Sequence, residues 1–198
     1  MNVVFDFGGV VFRWEPEAIV ADAFPDPAVR DVVRAEIFRH NDWLELDRGT
    51  LPLREAVVRG AARTGLPESE VARLLDRVPF ALTPIPGTVD LLHRVKAKGR
   101  PLYYLSNMHV ASIERLQAAY SFWDLFDGGV VSCRVHTIKP EPEIYVHLLK
   151  TCELTGPETV FIDDTQVNLD AAEKFGIRTI RFEDPAQCER ELKALGCL

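Results

Sequence analysis

Short unbroken apolar runs alternate with amphipathic stretches along most of this chain. The runs at 2–5, 101–105, 129–131, 159–162 and 178–182 are rich in Val, Ile, Phe, Leu and Tyr. Runs of this kind, without polar alternation, predict strands covered on both faces. Between them, 87–98, 109–119, 142–151, 166–175 and 185–195 space their apolar residues for helices. Pro142 and Pro185 open two of these, where a missing N–H costs nothing, and Gly176 ends another. Strand and helix in this rhythm predict an α/β fold, a doubly wound parallel sheet with helices on both faces. Residues 14–84 read differently. Helical patterns at 16–24, 27–40, 52–63 and 67–77 follow one another, broken by Pro16, Pro25, Pro27, Gly49, Pro52, Gly65 and Pro67. The expected organisation is a core from 1–13 and 85–198, with a helical insert over 14–84 after the first strand.

Composition narrows the class. With 47% apolar and 27% charged residues the chain is ordinary for a globular protein. Its net charge of −7 argues against nucleic acid or an anionic membrane as partner, since both attract basic patches. Cys133, Cys152, Cys188 and Cys197 form no C-x-x-C pair, so neither a zinc site nor a disulfide framework is expected. Asp6 interrupts the first apolar run and no basic leader precedes it, which gives the expectation of a cytoplasmic protein.

Every strong strand ends in polar groups. Asp6 follows the first, Ser106 and Asn107 the second, and Asp163 with Asp164 a later one, while Lys139 sits in a loop after the weaker 129–131 run. In parallel sheets the reactive crevice lies beyond the carboxyl ends of the strands, so these groups are expected to meet there. Three carboxylates, a hydroxyl, an amide and an ammonium suit phosphoryl transfer. A carboxylate nucleophile meets a dianionic phosphate only if charge is neutralised, and Mg²⁺ with oxygen ligands, plus a fixed lysine, does that. Attack by Asp6 would form an aspartyl-phosphate that water hydrolyses.

These residues resemble the haloacid dehalogenase-like (HAD) hydrolase superfamily. Val-Val-Phe-Asp-Phe-Gly-Gly-Val-Val (3–11) is similar to its first motif, Leu-Ser-Asn (105–107) to its second, and Lys139-Pro140 with Glu-Pro-Glu-Ile-Tyr to its third. Val-Phe-Ile-Asp-Asp-Thr-Gln-Val-Asn (160–168) is similar to its fourth. The resemblance implies a HAD-like Rossmannoid core with a helical C1 cap. Asp6 would be nucleophile and Mg²⁺ ligand, joined by Asp164 and the Gly8 carbonyl, with Asp163 a further ligand or partner of the ligands. Ser106, Asn107 and Lys139 would bind the phosphoryl group of a small phosphorylated metabolite. The bacterial α-D-glucose 1-phosphate phosphatases share Asp-x-Gly-x-Val and Ser-Asn with this chain, which implies a sugar phosphate as substrate.

Gly8 departs from the commonest pattern, which has a general acid–base Asp there. His109 is a candidate substitute, weighed against a plain solvated residue in a helix's first turn. Trp43, Leu44 and Leu46 read as insert core, Trp14 and Arg13 as hinge packing or pocket wall, and Phe122, Trp123 and Phe126 as a core cluster. Two rival functions share much of this pattern. A 2-haloacid dehalogenase uses the Asp, Ser-Asn, Lys and cap without a metal, but the paired Asp163-Asp164 argues against it. A degenerate HAD protein that only binds a phospholigand has Gly8 as its sole support.

Overall fold

Strand β1 (Asn2–Phe5) lies at the centre of a five-stranded parallel sheet. The computed structural model describes residues 1–198. Strands β2 (Leu102–Ser106) and β4 (Thr159–Asp163) pair with β1 on either side, and β3 (Gly128–Val131) and β5 (Arg178–Arg181) form the edges. The chain first builds outward from β1 through β2 to β3, then crosses back to lay β4 on the other side of β1. That reversal puts the switch point of the sheet between β1 and β4, whose register sets Phe5 beside Ile162.

Residue alternation sends apolar side chains to both faces. Val3, Phe5, Leu102, Tyr104, Val160 and Ile162 join one cluster, covered by α6 (Pro86–Ala97), α7 (Val110–Ala119) and α11 (Pro185–Ala194). Val4, Leu105 and Phe161 join the other, under α9 (Pro142–Thr151) and α10 (Gln166–Glu173). The central strands are therefore buried almost throughout, while the edge strand β5 exposes both its arginines. Phe122, Trp123 and Phe126 pack against the first cluster, with Trp123 tilted and Phe126 edge-on to Phe7 and Tyr104, so the expected aromatic core is present.

Residues 14–84 hold α1 (Pro16–Ala23), α2 (Pro27–Val33), α3 (Asn41–Arg48), α4 (Leu53–Thr64) and α5 (Glu68–Ala81), and no strand. They enclose a separate apolar cluster that includes Val20, Val33, Ile37, Leu46, Val71 and Leu74. The two connections to the sheet run side by side, with Phe12 bridged to Pro84 and Arg13 N–H donating to Thr83 O at 2.8 Å. Three details differ from the sequence expectation. The 27–40 stretch is α2 followed by a π-helical turn over Arg34–Phe38, and α5 runs on to Ala81 with Pro79 in its last turn. Helix α3 was not expected, because Asn41, Asp42, Glu45, Asp47 and Arg48 mask the short stripe of Trp43 and Leu46. The ring of His40 accepts from Asp42 N–H to start it, and Gly49, at φ 78°, ends it.

The end of α3 is fastened to the core. Ser132 Oγ, in the short helix α8 (Ser132–Val135), donates to Asp47 O at 2.5 Å and accepts from Met108 N–H at 2.9 Å. Arg48 forms a forked pair with Glu141 at 2.6 and 2.7 Å, which holds the Glu141 carboxyl down at about 2. A side chain on Gly49 would place its first carbon 2.6 Å from Cys133 O, on a backbone that L residues rarely adopt. Gly49→Ala should therefore cost about 1–3 kcal/mol, read as a lowered thermal midpoint. An unchanged midpoint would mean that the α3 end is not fastened in solution.

Candidate active site

Asp6 is the first residue beyond β1 and only 7% exposed; its N–H donates to Ile162 O on β4 at 2.9 Å. That bond ties the exit of β1 to β4, one residue before Asp163. Asp6 Oδ1 accepts from Phe7 N–H at 2.7 Å and from Lys139 Nζ at 2.8 Å. Lys139, 4% exposed, also reaches Asp163 Oδ2 at 2.6 Å. Lys139 is thereby a buried site residue, not a surface charge. One ammonium joins carboxylates from two adjacent strands.

The backbone around Lys139 is held by Asn107. Its Oδ1 accepts from Lys139 N–H at 2.7 Å and its Nδ2 donates to Lys139 O at 3.0 Å. Asn107 lines the cavity over the site, yet both ends of its amide are engaged in placing the lysine. Ser106 is 1% exposed at the end of β2, does not line that cavity, and its Oγ has no hydrogen-bond partner in the protein. Asp163 is fully buried and saturated. Beyond Lys139, it accepts from Thr165 N–H at 2.8 Å and from Asn168 Nδ2 at 3.1 Å on both oxygens.

Ligand atoms of Asp6, Asp163 and Asp164 lie within 4.8 Å of one another. Because Asp163 is saturated, the oxygens left without a protein hydrogen bond are Oδ2 of Asp6 and of Asp164. These two, with the adjoining Gly8 backbone in the cavity wall, form a hard-oxygen set of the kind Mg²⁺ takes. Gly9, at φ 78°, lets the backbone pass beside Asp164, whose Cγ would be 2.8 Å from an added side-chain carbon. This second glycine was not singled out in the sequence, although only its freedom permits that approach.

Electrostatics mark the cluster as strained for charge. Burial, the largest influence, raises the Asp6 carboxyl to about 7; Lys139 opposes this, and Asp163 and Asp164 add to it. Asp164 is raised by burial and then by Asp163. Burial disfavours the Lys139 ammonium, but Asp163 and Asp6 outweigh it and hold its pKa above the usual lysine value. A carboxylate-rich pocket of this sort binds a cation favourably and releases protons when it does so.

A cavity of about 200 Å³ opens above these residues. Trp14, Trp43, Val78, Leu82 and Met108 form its apolar side, and Asp47, His109 and Ser112 lie in its wall. Trp14 and Trp43 stack with centroids 5.6 Å apart. Of the expected insert-core trio, Leu46 is buried, Trp43 lines the cavity and Leu44 is 44% exposed. Arg13 is exposed, leaving Trp14 as the wall residue of its pair. His109 is buried rather than solvated.

A profile of haloacid dehalogenase-like hydrolases matches residues 1–176. The chain belongs to that family. This HAD-like hydrolase is 30% identical to the sesquiterpene phosphatase astK of Aspergillus oryzae over 195 residues, covering 98% of this chain and 96% of the relative. Its fold is similar to that of a HAD family enzyme of Bacteroides thetaiotaomicron crystallised with magnesium and inorganic phosphate. That match has a TM-score of 0.71 and 21% identity over 92% of this chain and 96% of the other. It is also similar to the L-2-haloacid dehalogenase of Xanthobacter autotrophicus, with a TM-score of 0.70 and 22% identity over 98% and 82% of the two chains. At such identities these structures establish the α/β fold; the chemistry rests on the residues above. No helix of the chain is long and apolar enough to cross a membrane.

Proposed function

We propose that this hydrolase is a Mg²⁺-dependent phosphatase that cleaves a phosphate monoester of a small alcohol, with residues 14–84 as the cap domain over a core of 1–13 and 85–198. The observation that carries it is the bridge from Lys139 to Asp6 and Asp163, with Asp164 beside it. Halide displacement needs no such concentration of carboxylates. Phosphoryl transfer needs a cation to offset both them and the substrate.

In this reading Asp6 attacks phosphorus and carries the phosphoryl group until water removes it. Asp6, Asp164 and the Gly8 carbonyl would hold Mg²⁺, with Asp163 nearby to anchor Lys139; the ion would offset phosphate charge. Lys139 stabilises the equatorial oxygens, and Asn107 fixes its backbone. The expected phosphate contact from Ser106 is not supported, because its unpartnered hydroxyl is buried outside the cavity wall.

Two leaving groups compete. The resemblance of the Asp-x-Gly-x-Val and Ser-Asn motifs to those of the α-D-glucose 1-phosphate phosphatases implies a sugar phosphate. The cavity favours an apolar alcohol, because Trp14, Trp43, Val78 and Leu82 face it. The sesquiterpene phosphatase likeness adds to that second reading. Phosphate release from α-D-glucose 1-phosphate, a sesquiterpenyl monophosphate and p-nitrophenyl phosphate, with Mg²⁺ or chelator, decides among them. Release that stops on chelation is expected. Chelator-resistant halide release from 2-chloropropionate, without phosphatase activity, overturns the reading.

A further inference from the structure

An alkoxide is a poor leaving group, so cleavage of an alkyl phosphate calls for a proton on the departing oxygen. Position 8, which lines the cavity, carries no side chain to supply one. Asp6 is the attacking group, and Lys139 is committed to two carboxylates. The remaining side chain in the cavity of a type that titrates near neutrality is His109.

His109 is the residue before α7 and is 5% exposed. Its Nδ1 is 3.5 Å from Asp47 Oδ1, and its Nε2 is 3.1 Å from Ser112 Oγ. The ring of Trp43 stands edge-on to it at 5.7 Å between centroids. Asp47 is itself 9% exposed and comes from α3, whose end is fixed by the Ser132 and Arg48 contacts. A carboxylate beside one imidazole nitrogen orients the ring, leaving the opposite nitrogen to exchange a proton. The charged groups that share the cavity with this pair are Asp6, Lys139 and Asp164.

We infer that His109 is the proton donor to the leaving oxygen and Asp47 its positioning residue, an assignment that rests on the phosphatase reading above. As a carboxylate oxygen of Asp6 bonds to phosphorus, the phosphorus–alkoxide bond breaks and the proton on Nε2 passes to the departing oxygen, giving the free alcohol and neutral His109. Water then attacks the aspartyl-phosphate. Its hydroxyl joins phosphorus, its proton returns to Nε2, and Asp6 leaves as carboxylate with inorganic phosphate released. Charge and protons balance over the two steps. Ser112 holds the ring between turnovers.

The test compares two esters that differ in need of a proton. p-Nitrophenyl phosphate departs as a stable phenolate; the alkyl phosphate found in the substrate panel does not. His109→Gln should lose about 10²–10⁴-fold in kcat on the alkyl ester and at least about tenfold less on p-nitrophenyl phosphate. Asp47→Asn should show the same split, smaller in size, and move the basic limb of the kcat profile. Thermal midpoints of both variants report folding separately. Equal losses on both esters, or no loss, overturn the assignment. A wild-type enzyme that releases phosphate from neither ester sinks the phosphatase reading instead.

Discussion

Lys139→Met should leave the protein about 3–5 kcal/mol less stable near neutral pH and without measurable phosphatase turnover. The ammonium is 2.8 Å from Asp6 and 2.6 Å from Asp163, and all three side chains are essentially sealed from water. Removing the cation takes from two buried carboxyl groups the charge that favours their ionised forms, which costs far more than loss of a surface pair. The deficit should shrink as the medium is acidified, because protonated carboxyls need no partner. Urea unfolding across pH reads both effects. A deficit below about 1 kcal/mol, the range of exposed pairs, would show the bridge to be open to solvent.

Asp6→Asn should abolish turnover yet make the metal-free protein more resistant to heat. Burial, ahead of the other influences and against the pull of Lys139, raises the Asp6 carboxyl to about 7, above its ordinary value of about 3.9. The folded state therefore binds this proton more tightly than the unfolded state. The stability tied to it is full below about pH 4 and is lost as pH rises through about 7. Asparagine has no charge to bury. The gap in thermal midpoint between variant and wild type, in chelator, should be negligible at pH 4 and should widen to a plateau above pH 7. A variant less stable than wild type at pH 8 would mean that the ionised Asp6 contributes more through Lys139 than it costs.

The sheet was readable because its signals are local and repeated. Unbroken runs such as Val160-Phe161-Ile162 occur where both faces are covered, and all five strands fell on expected runs. Convergence of Asp6 and Asp163 followed from topology, since strand ends in a parallel sheet share one edge, and Lys139 reaches them from the loop beyond α8. Division of labour did not follow. That Asn107 fastens Lys139, and that Asp163 spends its oxygens on Lys139, Thr165 and Asn168, depends on side-chain reach across loops. Asp47 escaped notice for a different reason. It sits on a two-turn helix whose polar residues hide its periodicity, and its partner His109 is distant in sequence. Burial of His109 was equally hidden, since a first-turn residue is solvated unless something from elsewhere covers it.

The paired connections at Phe12–Pro84 and Arg13–Thr83 make the sheet meet residues 14–84 as two touching ends. To the scaffold, that whole stretch is a closed loop, and its length matters little to the β-strands beneath. Yet Asp47 travels with it. Grafting a foreign insert between those ends would exchange the Trp14–Trp43 wall and strip His109 of its carboxylate in one event, so, on the proposed assignment, chimaeras of this architecture should change which esters they cleave and how well they protonate the leaving group together.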